Sequence, residues 1–112
     1  MNSAILLIGS NIDPLENTRC AMAMLRGMAE ITAISRIWEI PSMGSPGPNF
    51  INFAVEIMTH LSASEIKQQV NGKIETALKR ERSSDKNAPR TIDIDIIVYN
   101  CSFAKVENST LT

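Results

Sequence analysis

Two aspartates, Asp93 and Asp95, stand two residues apart in the alternating run Ile92-Asp93-Ile94-Asp95-Ile96. On a strand the side chains repeat every second residue. Both carboxylates therefore point to one side, about 6.6 Å apart along the backbone, and the isoleucines to the other. Hard carboxylate oxygens crowded in this way suit Mg²⁺, which completes its octahedron with water and substrate phosphates. An isolated Asp-x-Asp also reads as a solvated surface or as an edge guarded against aggregation. The charge upstream shifts the balance. Lys79, Arg80, Arg82, Lys86 and Arg90 stand against Glu81 and Asp85 over residues 79–90. Cations at a helix C-terminus complement its dipole, which accounts for Lys79 and Arg80. Arg82, Lys86 and Arg90 fall in the polar stretch that returns the chain to the aspartates. Carboxylates beside guanidinium groups are what a metal-bound polyphosphate requires, because arginine grips phosphate oxygens with paired bonds. The chain has no Walker A sequence, so a nucleotide would not be held as in a P-loop enzyme.

The elements that must position these groups follow from apolar spacing. Ala4 to Ile8 is a continuous apolar run ended by Gly9-Ser10-Asn11, a buried strand leaving its sheet through a turn. Asp13 suits an N-cap, Pro14 the first helical position and Glu16 a return bond to the cap. Leu15, Thr18, Met22, Leu25 and Met28 then give the helix one packed face. Residues 31–40 read as a strand, closed by a loop that holds Pro41, Gly44, Pro46, Gly47 and Pro48. Phe50 to Thr59 alternates again, with Ile51, Phe53, Val55 and Ile57 on one side and Asn52, Ala54, Glu56 and Met58 on the other. Ser62 and Glu65 form a capping box ahead of the stripe Ile66, Val70, Ile74, Ala77 and Leu78, which predicts a second helix from Ala63 to about Lys79. A last strand spans 92–99. The order βαββαβ predicts an α+β, ferredoxin-like domain: a four-stranded antiparallel sheet with two helices on one face. Two helices cover one side of such a sheet, so Asp93 and Asp95 belong to the open side.

Composition narrows the classes. The 112 residues, 44% hydrophobic and 21% charged, suit one globular domain. A net charge of −1 gives no global reason to bind nucleic acid or an anionic membrane. The sheet lacks the aromatic pairs that RNA-binding domains of this topology stack on bases. Cys20 and Cys101 have no metal-ligand spacing and read as buried or idle thiols. No segment has the length of a membrane span or the shape of a secretory leader, which predicts a cytoplasmic protein. His60, the single histidine, falls just past a strand and reads as a turn residue.

Lys86-Asn87-Ala88-Pro89-Arg90-Thr91-Ile92-Asp93-Ile94-Asp95-Ile96-Ile97 resembles the signature of the 6-hydroxymethyl-7,8-dihydropterin pyrophosphokinases, a family of folate-pathway enzymes. Ile8-Gly9-Ser10-Asn11 is similar to that family's N-terminal turn. Ile40-Pro41-Ser42-Met43-Gly44 with Phe50-Ile51-Asn52 is similar to its pterin-contacting loop and strand. The resemblance implies diphosphate transfer from ATP to the pterin hydroxymethyl group, with release of AMP. It implies that Asp93 and Asp95 ligate two Mg²⁺ ions, and that Arg80, Arg82 and Arg90 contact phosphate from a catalytic loop. Glu75 would lie near the nucleotide. Pro41 and Met43 would offer backbone groups to the pterin, Asn52 would bond its amide-like edge and Phe50 would stack on its ring. The implied partners are two small molecules, with no nucleic acid or membrane, and a homodimer is allowed.

Departures accompany the match. Asn87 stands where the family often has an aromatic, Ala88 where it has glycine, and Ile40 and Ser42 replace common neighbours of the loop proline. The resemblance also implies that relatives continue past the Leu111-Thr112 position with a Pro-His segment, an arginine and an aromatic. Residues 1–112 are thus expected to form one domain without that segment; either a partner subunit supplies the missing cover, or the chain binds ATP poorly with impaired activity, or the sequence is a natural or artificial truncation. The alternative reading is a non-catalytic pterin- or nucleotide-binding paralogue with a regulatory or assembly role.

Overall fold

The computed structural model describes residues 1–41, 49–78 and 91–100 and the short strand Ser102–Phe103. The strands are β1 (Asn2–Ser10), β2 (Glu30–Ile34), β3 (Trp38–Ile40), β4 (Phe50–Thr59), β5 (Asp93–Tyr99) and β6 (Ser102–Phe103). Helix α1 covers Pro14–Arg26. The second helix, α2, runs through three contiguous segments, Ala63–Glu65, Ile66–Asn71 and Gly72–Ala77, of which the middle one is π-helical. The sheet order is β2-β4-β1-β5-β6, with β3 beside β4. Every pairing is antiparallel. This is the ferredoxin-like arrangement, with the most continuously apolar strand at its centre.

Alternation along each strand sorts residues between two faces. Ala4, Leu6 and Ile8 of β1, Phe53, Val55 and Ile57 of β4 and Ile94 and Ile96 of β5 are buried. They pack with Ala21, Met22 and Leu25 of α1 and Ile66, Val70 and Ile74 of α2. Full burial of one such side chain stabilises the fold by about 1.5–3 kcal/mol. The register carries Ile8 opposite both Phe53 and Ile94, so the core rows run straight across three strands.

Four local expectations meet a different outcome. Asp13 makes no side-chain cap: its backbone is left-handed (φ 41°), and the Asn17 amide group instead donates to the Ile12 carbonyl. Pro14 does open the helix, as its missing N–H allows. Leu15 is 68% exposed, so the apolar face of α1 begins a turn later than the spacing suggests. The strand expected over 31–40 is interrupted between β2 and β3, where Ser35 bonds Ala54 twice: its N–H donates to the Ala54 carbonyl, and its hydroxyl accepts from the Ala54 N–H, both at 2.8 Å. A side chain that accepts in place of the backbone carbonyl ends the regular ladder. Finally, α2 is not a plain α-helix. Its capping box at Ser62 and Glu65 forms as expected, but the Gly72 N–H donates to the Lys67 carbonyl five residues back. A β-carbon at position 72 would lie 3.2 Å from that same oxygen, which explains a glycine there.

Candidate functional site on the open sheet face

Residues that β1, β4 and β5 turn away from the helices meet in one transverse row. Trp38 pairs with Asn52, Asn52 with Gly9, and Gly9 with Asp93. Directly paired residues of an antiparallel sheet share a face, so the row Trp38, Asn52, Gly9, Asp93 lies on the side opposite the core. One row further along, Ala54, Leu7 and Asp95 follow. Asn52 and Asp93 are two strand spacings apart, about 10 Å, with glycine between them.

Gly9 is glycine because of crowding, not backbone strain. A β-carbon there would come within 2.6 Å of Asn52 Oδ1. The Asn52 side chain thus leans over β1 into the space that an alanine would occupy. Beyond Gly9 the chain turns through Ser10 and Asn11, both fully buried. The Ser10 hydroxyl donates to the Ile12 carbonyl at 3.2 Å, which fixes this turn at the end of β1.

Asp93 is half-buried and Asp95 exposed. Beside them, β5 and α2 enclose an open groove of about 880 Å³ whose walls include Lys67, Asn71, Glu75, Thr76, Asp93 and Asp95. Glu75 is buried, and its Oε2 accepts the Ile94 backbone N–H at 3.0 Å. Asn71, also buried, donates from Nδ2 to the Ile94 carbonyl at 3.5 Å. Among the described residues the buried Asn71 Oδ1 and Thr91 Oγ1 have no hydrogen-bond partner.

The structure thus gathers Asn52, Asp93 and Asp95 on one face, with Glu75 at the adjoining groove. Phe50 opens β4 opposite Ile40, one alternation from Asn52 on the same side, and is half-buried. Pro41 directly follows β3 and is exposed. Met43, Arg80, Arg82 and Arg90 lie outside the described residues, as does Cys101. His60 is exposed beyond the end of β4. Cys20 is a free thiol that donates to the Glu16 carboxylate at 3.5 Å. That bond pushes the thiol above its ordinary range and keeps it protonated and idle at neutral pH. Sequence reasoning passed over Trp38 and Asn71. The first was hidden in an apolar strand; the second was a polar residue beside Val70 in the helical stripe, and that mismatch was its signal.

A ferredoxin-like sheet whose open face carries two carboxylates across a glycine from an asparagine defines the candidate site of this α+β domain. Residues 5–111 match the model of the 7,8-dihydro-6-hydroxymethylpterin-pyrophosphokinase family, and the chain belongs to that family. It is similar to the 2-amino-4-hydroxy-6-hydroxymethyldihydropteridine pyrophosphokinase of Bacillus subtilis, with 37% identity over 103 residues, 88% of this chain and 60% of the relative. The enzyme of the same name from Helicobacter pylori is 36% identical over 104 residues, 88% of this chain and 63% of the relative. That from Synechocystis is 35% identical over 101 residues, 88% and 51%. The chain spans between half and two-thirds of the length of these relatives.

Proposed function

We propose that this chain transfers the terminal diphosphate of ATP to the hydroxymethyl group of 6-hydroxymethyl-7,8-dihydropterin, giving AMP and the pterin diphosphate for folate biosynthesis. The observation that carries this reading is the row Asn52, Gly9, Asp93, with Asp95 one alternation away. Asparagine offers both a donor and an acceptor, the pattern presented by the amide-like edge of a pterin. The ring would lie over β1 beside Asn52, which covers Gly9, with its hydroxymethyl group directed at the carboxylates. Phe50 would stack on the ring, and the backbone at Pro41 and Met43 would bond its rim. The groove between β5 and α2, lined in part by Glu75, would take the nucleotide.

The donor set fits Mg²⁺ brought in by a nucleotide. Among the described residues no third His, Cys, Asp or Glu groups with the aspartates into a closed cage, and Mg²⁺ commonly uses one or two carboxylates and keeps water and phosphate ligands. Two Mg²⁺ ions held by Asp93 and Asp95 would supply positive charge to the phosphate oxygens. In the reaction the hydroxymethyl oxygen bonds to the β-phosphorus. The bond from that phosphorus to the oxygen bridging the α-phosphorus breaks, the oxygen stays with AMP, and the hydroxyl proton leaves to water. Positioning and charge neutralisation carry such a transfer, and Arg80, Arg82 and Arg90 would add charge on the phosphate side. Both ligands are small molecules, and among the described residues no helix is long and apolar enough to cross a membrane.

Incubation with ATP, Mg²⁺ and the pterin should release AMP and pterin diphosphate in equal amounts. Asp93→Asn with Asp95→Asn should lower the rate by about a hundredfold or more, the scale of lost electrostatic stabilisation. Pterin binding without turnover in the unaltered chain would select the non-catalytic paralogue instead.

A further inference from the structure

We infer that Asn71 and Glu75 are positioning residues that set the Asp93 and Asp95 carboxylates by gripping the backbone of Ile94 between them. In an antiparallel ladder, alternate residues direct their N–H and C=O groups to opposite sides. Asp93 and Asp95 pair with β1 through Gly9 and Leu7, so Ile94 turns both of its polar groups toward the outer edge of β5. There they meet α2. The N–H donates to Glu75 Oε2 at 3.0 Å, and the carbonyl accepts from Asn71 Nδ2 at 3.5 Å. Asn71 and Glu75, four residues apart, share one helix face and are 3% and 7% exposed. A grip on the peptides flanking Ile94 fixes the local twist and pleat of β5, and with them the directions of the two neighbouring side chains.

Two further features fit a grip tuned to this place. The π-helical segment ends on Asn71. Its extra residue rotates the following turn by about 100° relative to an unbroken α-helix, which sets the register of Glu75 against β5. Such insertions recur at functional sites. Asn71 also holds this orientation with its buried Oδ1 lacking a partner among the described residues, an uncommon state for a buried oxygen. The Ile94 carbonyl, not competition for Oδ1, thus dictates the pose.

The geometry of the grip stands by itself; its consequence for metal binding rests on the pyrophosphokinase reading. The test uses the full chain and the variants Glu75→Ala, Glu75→Gln and Asn71→Ala. Amide hydrogen exchange at Ile94 is followed by NMR without nucleotide, with Leu6 and Val55 as markers of an intact sheet. Binding of Mn²⁺ together with the α,β-methylene analogue of ATP is followed by electron paramagnetic resonance. Glu75→Ala should speed Ile94 exchange at least tenfold while Leu6 and Val55 stay protected, and should weaken Mn²⁺ binding about tenfold. Glu75→Gln keeps an acceptor oxygen and should remain within about threefold of the unaltered chain in both readouts. Asn71→Ala should fall between them. Unchanged Ile94 exchange in Glu75→Ala would overturn the inference. So would a Glu75→Gln variant as impaired as Glu75→Ala, or an equal loss of analogue affinity with and without Mn²⁺, which would make Glu75 a nucleotide contact alone. Failure of the unaltered chain to bind Mn²⁺ with the analogue would overturn the pyrophosphokinase reading and the metal consequence together. Ile94 exchange, read on the nucleotide-free chain, keeps that failure distinct from failure of the grip itself.

Discussion

Gly9 couples fold and site in one residue. Its missing β-carbon leaves the space into which Asn52 Oδ1 leans, 2.6 Å from where that carbon would be. The group displaced by Gly9→Ala is the tip of a side chain rather than backbone, so Asn52 can swing aside at little cost to the strand. Gly9→Ala should therefore shift Tm by no more than a few degrees, since alanine also reduces the entropy of the unfolded chain. Pterin affinity, followed by calorimetry, should fall by about tenfold or more, corresponding to about 1–3 kcal/mol for misdirected buried hydrogen bonds. The aspartates were legible in the sequence because period-two alternation assigns faces without knowledge of the register. The closeness of Gly9 to Asn52 was not, because it depends on which residue of β4 falls opposite β1. Asn71 was equally opaque: a polar residue in an apolar stripe signals an exception but not the Ile94 carbonyl that explains it.

At the scale of elements, local chemistry decided starts better than ends or interruptions. Ser62 and Glu65 were readable as a capping box, and both reciprocal bonds form: the Ser62 N–H donates to Glu65 Oε1 at 2.8 Å, and the Glu65 N–H to Ser62 Oγ at 3.2 Å. Ser62→Ala should lower stability by about 1 kcal/mol in urea denaturation, with m unchanged because the exposed surface is the same. Asp13 carries the same kind of signal, yet its left-handed backbone leaves its side chain without a capping bond. Cap residues state a preference, and the tight turn from buried Asn11 overrides it. The break between β2 and β3 and the π-helical turn in α2 have no periodic signature, since each inserts or removes one residue from an otherwise regular pattern. Each borders the candidate site: β3 resumes pairing so that Trp38 stands opposite Asn52, and Asn71, at the end of the π-helical segment, bonds Ile94 of β5 together with Glu75.

For the whole molecule, topology turns a list of polar residues into a site. The βαββαβ order was legible because each element carries its own period and the helices have one apolar face each. From that order follow the covered and uncovered faces of the sheet. With β1 central, between β4 and β5, the asparagine of one neighbour and the aspartates of the other face each other over a single strand. In the proposed function, pterin and nucleotide meet on this row. The most direct test of this is an NMR chemical-shift map of the full chain titrated with 6-hydroxymethylpterin in the presence of Mg²⁺ and the α,β-methylene analogue of ATP. The shifts should concentrate on the amides of Gly9, Asn52, Asp93 and Asp95 and pass over Ala21 and Leu25 on the helix layer and Asn2 and Asn100 at the far end of the sheet. Shifts centred on α1 or on the Asn2 and Asn100 end, with Gly9 and Asn52 unmoved, would contradict it.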